Sequence, residues 1–86
     1  MRIQVKRFAE EMEKVLARHD NHKSGYQACT YHYLFGRLLD EVRELHAAIY
    51  EDDNNADIVN ECVDIANFAM MIADKHLKKE VSDERV

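Results

Sequence analysis

The chain has no proline and only two glycines, Gly25 and Gly36, so few of its 86 residues break helices. It has no apolar run approaching the length of a membrane span, and residues 1–4 do not begin a signal peptide. Its two cysteines, Cys29 and Cys62, provide neither a disulfide framework nor a zinc-ligand spacing. These absences predict a single all-α domain in the cytoplasm, with two buried free thiols.

The chain also lacks an excess of positive charge. It has 12 basic and 17 acidic side chains, which gives a formal net charge of −5. Proteins that bind nucleic-acid polymers neutralise phosphates with Lys and Arg, so an acidic chain without a basic stripe does not fit that class. A small phosphorylated ligand is still compatible with this composition, provided that metal ions supply the positive charge. We therefore expect neither a nucleic-acid polymer nor a membrane as a partner.

Apolar residues recur at helical spacing in three segments of the chain. The predicted helices cover about residues 2–18, 30–50 and 56–79. Gly36 lies inside the second of them and costs about 1 kcal/mol relative to alanine, which indicates a close helix contact or a local break. Asn54 or Asn55 is expected to cap the third helix. The predicted architecture is a three-helix chain that forms a helical bundle.

The third predicted helix is apolar on nearly all sides. A helix of this kind is buried on several faces, and a chain of 86 residues buries only a modest fraction of its surface by itself. Neither a disulfide nor a zinc site is expected to compensate for the small core. We therefore expect the bundle to be completed by oligomerisation, as a homo-oligomer that is either a dimer or a tetramer.

Two pairs of carboxylates are the main functional signal: Glu41 with Glu44, and Glu61 with Asp64. Residues three apart project from the same side of a helix, and the second pair lies in a strongly apolar segment. Such a pair often lies on a solvated helix surface. Carboxylates that are buried need partners, however, and Arg37 can pair with only part of this set. If the two helices face each other, four oxygen ligands converge. Hard oxygen ligands suit Mg²⁺, or Mn²⁺.

The segments LLDEVREL at residues 38–45 and ECVDIANF at residues 61–68 carry these pairs. They resemble the MazG-like all-α nucleoside triphosphate pyrophosphohydrolases, whose signature is an ExxE pair followed by ExxD on the next helix. Asp40 and Asn60 stand where that family often has Glu. The resemblance implies that residues 1–86 form one such domain, which binds Mg²⁺ and cleaves a (deoxy)nucleoside triphosphate to the monophosphate and pyrophosphate.

The predicted metal ligands are Glu41, Glu44, Glu61 and Asp64. A bound divalent cation orients the phosphates and lowers the pKa of the attacking water, and a carboxylate not fully engaged with metal can accept the water's proton. Glu44 is the expected base, although nothing in the sequence separates it from Glu41. A ferritin-like di-iron centre is not indicated, because the sequence around Glu44 does not supply the required Glu-x-x-His spacing.

The loop at residues 22–26 is similar to a His-Lys-Gly-Gly-Trp-like stretch in some small members of the same family. This similarity implies that Tyr26 stacks on the nucleobase and that Lys23 binds a phosphate. A loop with these residues is also compatible with a simple surface turn. Both interpretations stay open at the level of sequence.

Three more residues follow the second acidic pair at helical spacing: Asn67, Phe68 and Lys75. In a substrate-binding interpretation, Asn67 hydrogen-bonds to the ligand, Phe68 packs on a base or sugar, and Lys75 meets a phosphate. In a structural interpretation, Asn67 bridges two helices, Phe68 is a core residue and Lys75 is solvated. An amide in so apolar a segment needs a hydrogen-bonding partner in either case.

The sequence thus favours a Mg²⁺-dependent nucleotide pyrophosphohydrolase. One alternative is a non-catalytic helical interaction module, which keeps a MazG-like fold and binds another protein through its third helix. A second alternative is a metal-binding protein with different chemistry. The sequence indicates neither the preferred base or sugar nor the number of metal ions in a site.

Overall fold

The computed structural model describes residues 1–18, 25–51 and 57–84, and side chains as far as residue 78. Within these ranges the chain forms three α-helices and one short 3₁₀ turn, and no strand. The helices are α1 (Ile3–Arg18), α2 (Tyr31–Tyr50) and α3 (Ile58–Glu84), and the 3₁₀ turn is Tyr26–Ala28. The all-α, three-helix prediction is confirmed. Helix α3 continues to Glu84, past the predicted end at residue 79.

Side-chain caps fix the starts of α2 and α3. The Thr30 hydroxyl accepts a hydrogen bond from the backbone N–H of Tyr33 at 3.0 Å. The Asp57 carboxylate accepts from the backbone N–H of Asn60 at 2.9 Å. Each cap satisfies an N–H that has no partner inside the helix. The predicted caps at residues 54–55 lie outside the described residues, and Asp57 is the residue that caps α3.

Helices α2 and α3 pack antiparallel. Near the start of α2, the Tyr31 ring lies 4.9 Å from the Lys75 ammonium of α3. Further along α2, the Arg37 guanidinium lies 5.4 Å from the ring centroid of Phe68. Residue numbers therefore rise along one helix as they fall along the other. This pairing brings the middle of α2 to the first half of α3, where the acidic pairs occur.

The hydrophobic core of the described part of the chain is small. Only Leu34 and Val63 are buried apolar side chains there, each 1% exposed. Many large apolar side chains are exposed instead. Those on α2 include Phe35, Leu39, Val42 and Ile49, and those on α3 include Ile58, Val59 and Leu77. Within the described residues, these side chains are thus left uncovered, although the sequence predicts that the third helix is buried on several faces.

Helix α2 passes through Gly36 without a break. A Cβ added at Gly36 would meet no atom within 4 Å apart from its own helix backbone and chain neighbours. The described residues thus show neither the local break nor the close helix contact that the glycine predicted. Gly25 differs, because its φ of 56° lies in the left-handed region that favours glycine.

One of two expectations from composition is met only in part. Cys29 and Cys62 are both free thiols, as predicted, but they are half-buried rather than fully buried. No helix in the portion of the chain that the structure describes is long and apolar enough to cross a membrane. The second finding agrees with the absence of a long apolar run in the sequence.

Candidate metal centre

Three carboxylates meet where α2 faces α3. One oxygen each from Glu41, Glu61 and Asp64 can be chosen so that all three lie within 4.8 Å of one another. Glu41 comes from α2 and is 5% exposed, while Glu61 and Asp64 come from α3 and are half-buried. We call these three residues the acidic cluster. Three of the four predicted metal ligands are therefore brought together by the packing of two helices.

Glu44, the fourth predicted ligand, lies at the exposed edge of the acidic cluster. Its own side chain is exposed, and it is not among the three carboxylates whose oxygens lie within 4.8 Å. It is nevertheless close enough to Glu41 and Glu61 to raise the pKa of both. One turn of α2 thus separates a buried carboxylate from a solvent-facing one.

Burial and mutual repulsion disfavour the charged forms of the cluster. The pKa of Glu41 is raised to about 7, first by burial and then by hydrogen bonding with and repulsion from Glu44, with a further contribution from Asp64. Arg37 opposes this rise. The pKa of Glu61 is also raised, again chiefly by burial and next by Glu44. Without a cation, Glu41 is therefore partly protonated near pH 7, where an isolated carboxylate would be charged.

Two oxygens of the cluster are buried without a hydrogen-bond partner among the described residues. They are Oε2 of Glu41 and Oε2 of Glu61. Such atoms are rare in folded proteins because each has lost water without gaining another donor. The donor set contains oxygen only, with no thiol or imidazole, which suits Mg²⁺ or Mn²⁺ rather than a zinc site. The residues therefore fit a hard divalent cation.

Arg37 holds the α2 side of the cluster. Its Nη2 donates to Oε1 of Glu41 at 3.1 Å, and its Nη1 donates to Oδ2 of Asp40, also at 3.1 Å. The guanidinium at the same time lies over the ring of Phe68 on α3. The pairing of Arg37 with Glu41 that the sequence suggested is confirmed.

Asn60 supports the α3 side of the cluster. Its side-chain amide donates to Oδ2 of Asp64 at 3.4 Å. In the sequence, Asn60 was notable only as a position where the MazG-like family often has Glu. The signal that sequence reasoning missed is its spacing, since residues four apart on a helix are neighbours. An amide here donates to the carboxylate, whereas a glutamate would repel it.

Asn67 and Phe68 lie beyond the cluster on α3 and make contacts within the chain. Asn67 is 3% exposed, and its amide nitrogen donates to the backbone carbonyl of Met12 on α1 at 3.4 Å. Its Oδ1 is buried and has no partner among the described residues. Phe68 is half-buried beneath Arg37. Asn67 thus bridges α1 and α3, and Phe68 provides the surface on which the guanidinium rests.

Tyr26 and Lys75, which were also predicted to bind substrate, lie away from the cluster. Tyr26 donates a hydrogen bond from its hydroxyl to Asp74 of α3. Lys75 packs over an aromatic ring near the start of α2. At 1.5 Å per residue, both places are about 15 Å along α3 from Asp64. Lys23 lies outside the described residues. The structure does not bring Tyr26 or Lys75 together with the acidic cluster.

Comparison of the chain with protein-family models, with curated proteins and with solved structures finds no match. The likeness to MazG-like enzymes consequently rests on the segments at residues 38–45 and 61–68. What the structure adds is independent of that likeness, namely a partly buried group of carboxylates with two unpartnered oxygens.

Proposed function

We propose that the protein is a Mg²⁺-dependent nucleotide pyrophosphohydrolase, which cleaves (deoxy)nucleoside triphosphates to the monophosphate and pyrophosphate. The acidic cluster is the proposed metal site, with Mn²⁺ as a possible substitute for Mg²⁺. The observation that supports this proposal is the pair of buried, unpartnered oxygens on Glu41 and Glu61, next to the third carboxylate of Asp64. A divalent cation would satisfy both oxygens and offset the repulsion among the three groups.

Each carboxylate has a proposed role that follows from its position. Glu41, Glu61 and Asp64 would hold the cation, which attracts the polyphosphate, offsets its negative charge and lowers the pKa of a bound water. Glu44 lies beside the cluster but is open to solvent, so it is the proposed acceptor of the water's proton. Glu41 is the alternative base, as the sequence leaves open.

The nucleoside end of the substrate would be held by residues outside the cluster. Asn67 and Phe68 are the predicted contacts that lie nearest to it along α3. The contacts of Tyr26 with the base and of Lys75 with a phosphate stay predictions. Within one chain, a substrate bound at the cluster would have to extend about 15 Å along α3 to reach them. A second copy of the chain, packed across the cluster, would supply such contacts over a shorter distance.

We also propose that the working form is a cytoplasmic homo-oligomer. Exposed Phe35, Leu39, Val42 and Ile49 follow one another along α2 at intervals of four, three and seven residues. This is the heptad spacing of helices that pack together in pairs. The apolar stripe and the small core of the single chain support a second copy as the partner that covers it.

The direct test is pyrophosphate release from a panel of nucleoside and deoxynucleoside triphosphates, with Mg²⁺ and with EDTA. We expect release only with Mg²⁺, together with a Mg²⁺-dependent rise in melting temperature. A rise in melting temperature without turnover would favour a metal-binding protein with other chemistry. The absence of both effects would favour the helical interaction module. The exposed apolar side chains on α2 and α3 also support that alternative.

A further inference from the structure

Resting on the proposed metal site, we propose that Arg37 is a positioning residue for the metal ligand Glu41. Arg37 fixes one oxygen of the Glu41 carboxylate and so keeps the second oxygen available to a cation shared with Glu61 and Asp64. The sequence suggested only that Arg37 could pair with Glu41. The structure adds three contacts that together determine where the guanidinium lies.

Two of these contacts are hydrogen bonds to different carboxylates. The nitrogens Nη1 and Nη2 of Arg37 each donate at 3.1 Å, the first to Asp40 and the second to Glu41. A guanidinium is planar and presents its donors in a fixed geometry, so two simultaneous acceptors restrict its orientation. The Asp40 side chain is 48% exposed, whereas that of Glu41 is only 6% exposed. Asp40 therefore anchors the guanidinium at the surface, and the guanidinium in turn holds the buried carboxylate.

The third contact joins Arg37 to the opposite helix. Its central carbon lies 5.4 Å from the ring centroid of Phe68 on α3. A cation at this distance from an aromatic face is attracted to it. The guanidinium is thus fixed relative to α3, which supplies the other two cluster carboxylates, as well as relative to its own helix.

The contact with Arg37 also distinguishes the two oxygens of the Glu41 carboxylate. Oε1 accepts from Arg37, and Oε2 is buried without a partner among the described residues. A carboxylate held at one oxygen cannot rotate freely, so its second oxygen keeps one direction. Hydrogen-bonding partners that orient metal ligands in this way typically change metal affinity by about 10- to 100-fold when they are removed.

The sign of the effect separates positioning from simple charge. Removing a positive charge beside an anionic site should strengthen cation binding if only Coulomb attraction mattered. Removing a group that orients a ligand should weaken it. Arg43 provides a matched control, since it lies on the same helix, is 80% exposed and pairs with Asp40 at 3.6 Å. Its distance from Asp40 and its exposure indicate a weak, solvated pair.

The experiment measures Mn²⁺ binding to the full chain, by electron paramagnetic resonance of free Mn²⁺. Four proteins are compared at the same pH and temperature: the native chain, Arg37→Gln, Arg37→Lys and Arg43→Gln. We expect Arg37→Gln to bind Mn²⁺ about 10- to 100-fold more weakly and Arg43→Gln to stay within about twofold of the native chain. Arg37→Lys should recover only part of the affinity, because an ammonium can still donate to Glu41 but lacks the planar, two-pronged geometry of the guanidinium.

The role of Arg37 would be overturned if Arg37→Gln bound Mn²⁺ as tightly as Arg43→Gln, or more tightly. Full recovery by Arg37→Lys would overturn it too, since a single donor without the guanidinium geometry would then suffice. Circular dichroism at the binding temperature checks that all variants keep the native helical signal. If the native chain binds no Mn²⁺, the proposed metal site itself fails. If it does bind, and the two glutamine variants match, only the inference about Arg37 fails.

Discussion

Helix α3 carries carboxylates in two opposite environments. In the second half of α3, Asp74 accepts a hydrogen bond from the Tyr26 hydroxyl and pairs with the Lys78 ammonium at 3.2 Å. The Tyr26 hydroxyl, and next Lys78, lower the pKa of Asp74. In its first half, Glu61 belongs to the acidic cluster, and burial and neighbouring carboxylates raise its pKa. The two places are separated by about 20 Å along one helix.

The contrast shows how the same chemical group can serve structure or function. The Asp74 carboxylate is satisfied within the chain, and it fastens the Tyr26–Ala28 turn to α3. The acidic cluster contains repulsion that the described residues only partly relieve, so a proton or a cation must relieve the rest. Changes at the first place should therefore alter stability alone. Changes at the second should alter metal binding and catalysis.

The largest effect is expected from the metal ligands. Glu61→Gln or Asp64→Asn should lower Mg²⁺-dependent pyrophosphate release by more than about 100-fold, since the loss of an outer partner alone costs up to that much. Asp74→Asn is the matched control, because it removes a carboxylate from the same helix outside the cluster. Initial rates at saturating Mg²⁺ provide the measurement. Native rates in either cluster variant would remove that residue from the mechanism.

The pH dependence of stability should be large and should depend on metal. Glu41 has a pKa of about 7 in the folded chain against 4.5 as its ordinary value, so between these pH values the folded state binds more protons than the unfolded state. The free energy of unfolding must then fall as pH rises through that window. Melting temperatures in EDTA from pH 5 to pH 8, set beside the same series with Mg²⁺, test this.

Mg²⁺ should restore most of the stability lost at pH 8, because it replaces the protons. Glu41→Gln should flatten the EDTA series, since its amide does not titrate. Asp74 is expected to contribute in the opposite direction and outside this window, because its pKa is lowered from 3.8. A stability that rises from pH 5 to pH 8 in EDTA would contradict the assignment of a raised pKa to Glu41.

A smaller effect is expected at the satisfied carboxylate. Tyr26→Phe removes the hydroxyl that donates to Asp74, which should cost about 1 kcal/mol and lower the melting temperature by roughly 4–8 °C. Mg²⁺ affinity should be unchanged. Thermal unfolding and Mn²⁺ titration measure the two quantities. An unchanged melting temperature with a raised KM would instead support the stacking role that the sequence resemblance implies for Tyr26.

The smallest effect is expected at Gly36. Alanine there should stabilise α2 by up to about 1 kcal/mol, because a helical glycine is unfavourable and the added Cβ meets open space within the chain. Thermal unfolding of Gly36→Ala checks the sign, and sedimentation checks the assembly. Destabilisation together with dissociation would mean that a second copy packs against this glycine and that the interface includes this part of α2.

Helix positions and some local pairs were predictable, since they depend on short-range spacing. The apolar periodicity predicts three helices, and the four-residue spacing predicts the pair formed by Arg37 and Glu41. The same spacing also relates Asn60 to Asp64, whose side chains are joined by a hydrogen bond. Burial was harder to predict. Nothing in the segment at residues 38–45 shows that Glu41 turns inward while Glu44 remains in solvent, because that depends on how α2 is rotated against α3.

The sequence alone determined that this protein is helical, acidic and equipped with two carboxylate pairs at helical spacing, because periodicity and composition act over a few residues. Only the tertiary structure decided which carboxylates meet, which oxygens lose their water, and that Tyr26 reaches Asp74 instead of the acidic cluster. Those outcomes depend on contacts between residues far apart in the chain. Such contacts are set by the rotation and register of packed helices, which local sequence patterns do not specify.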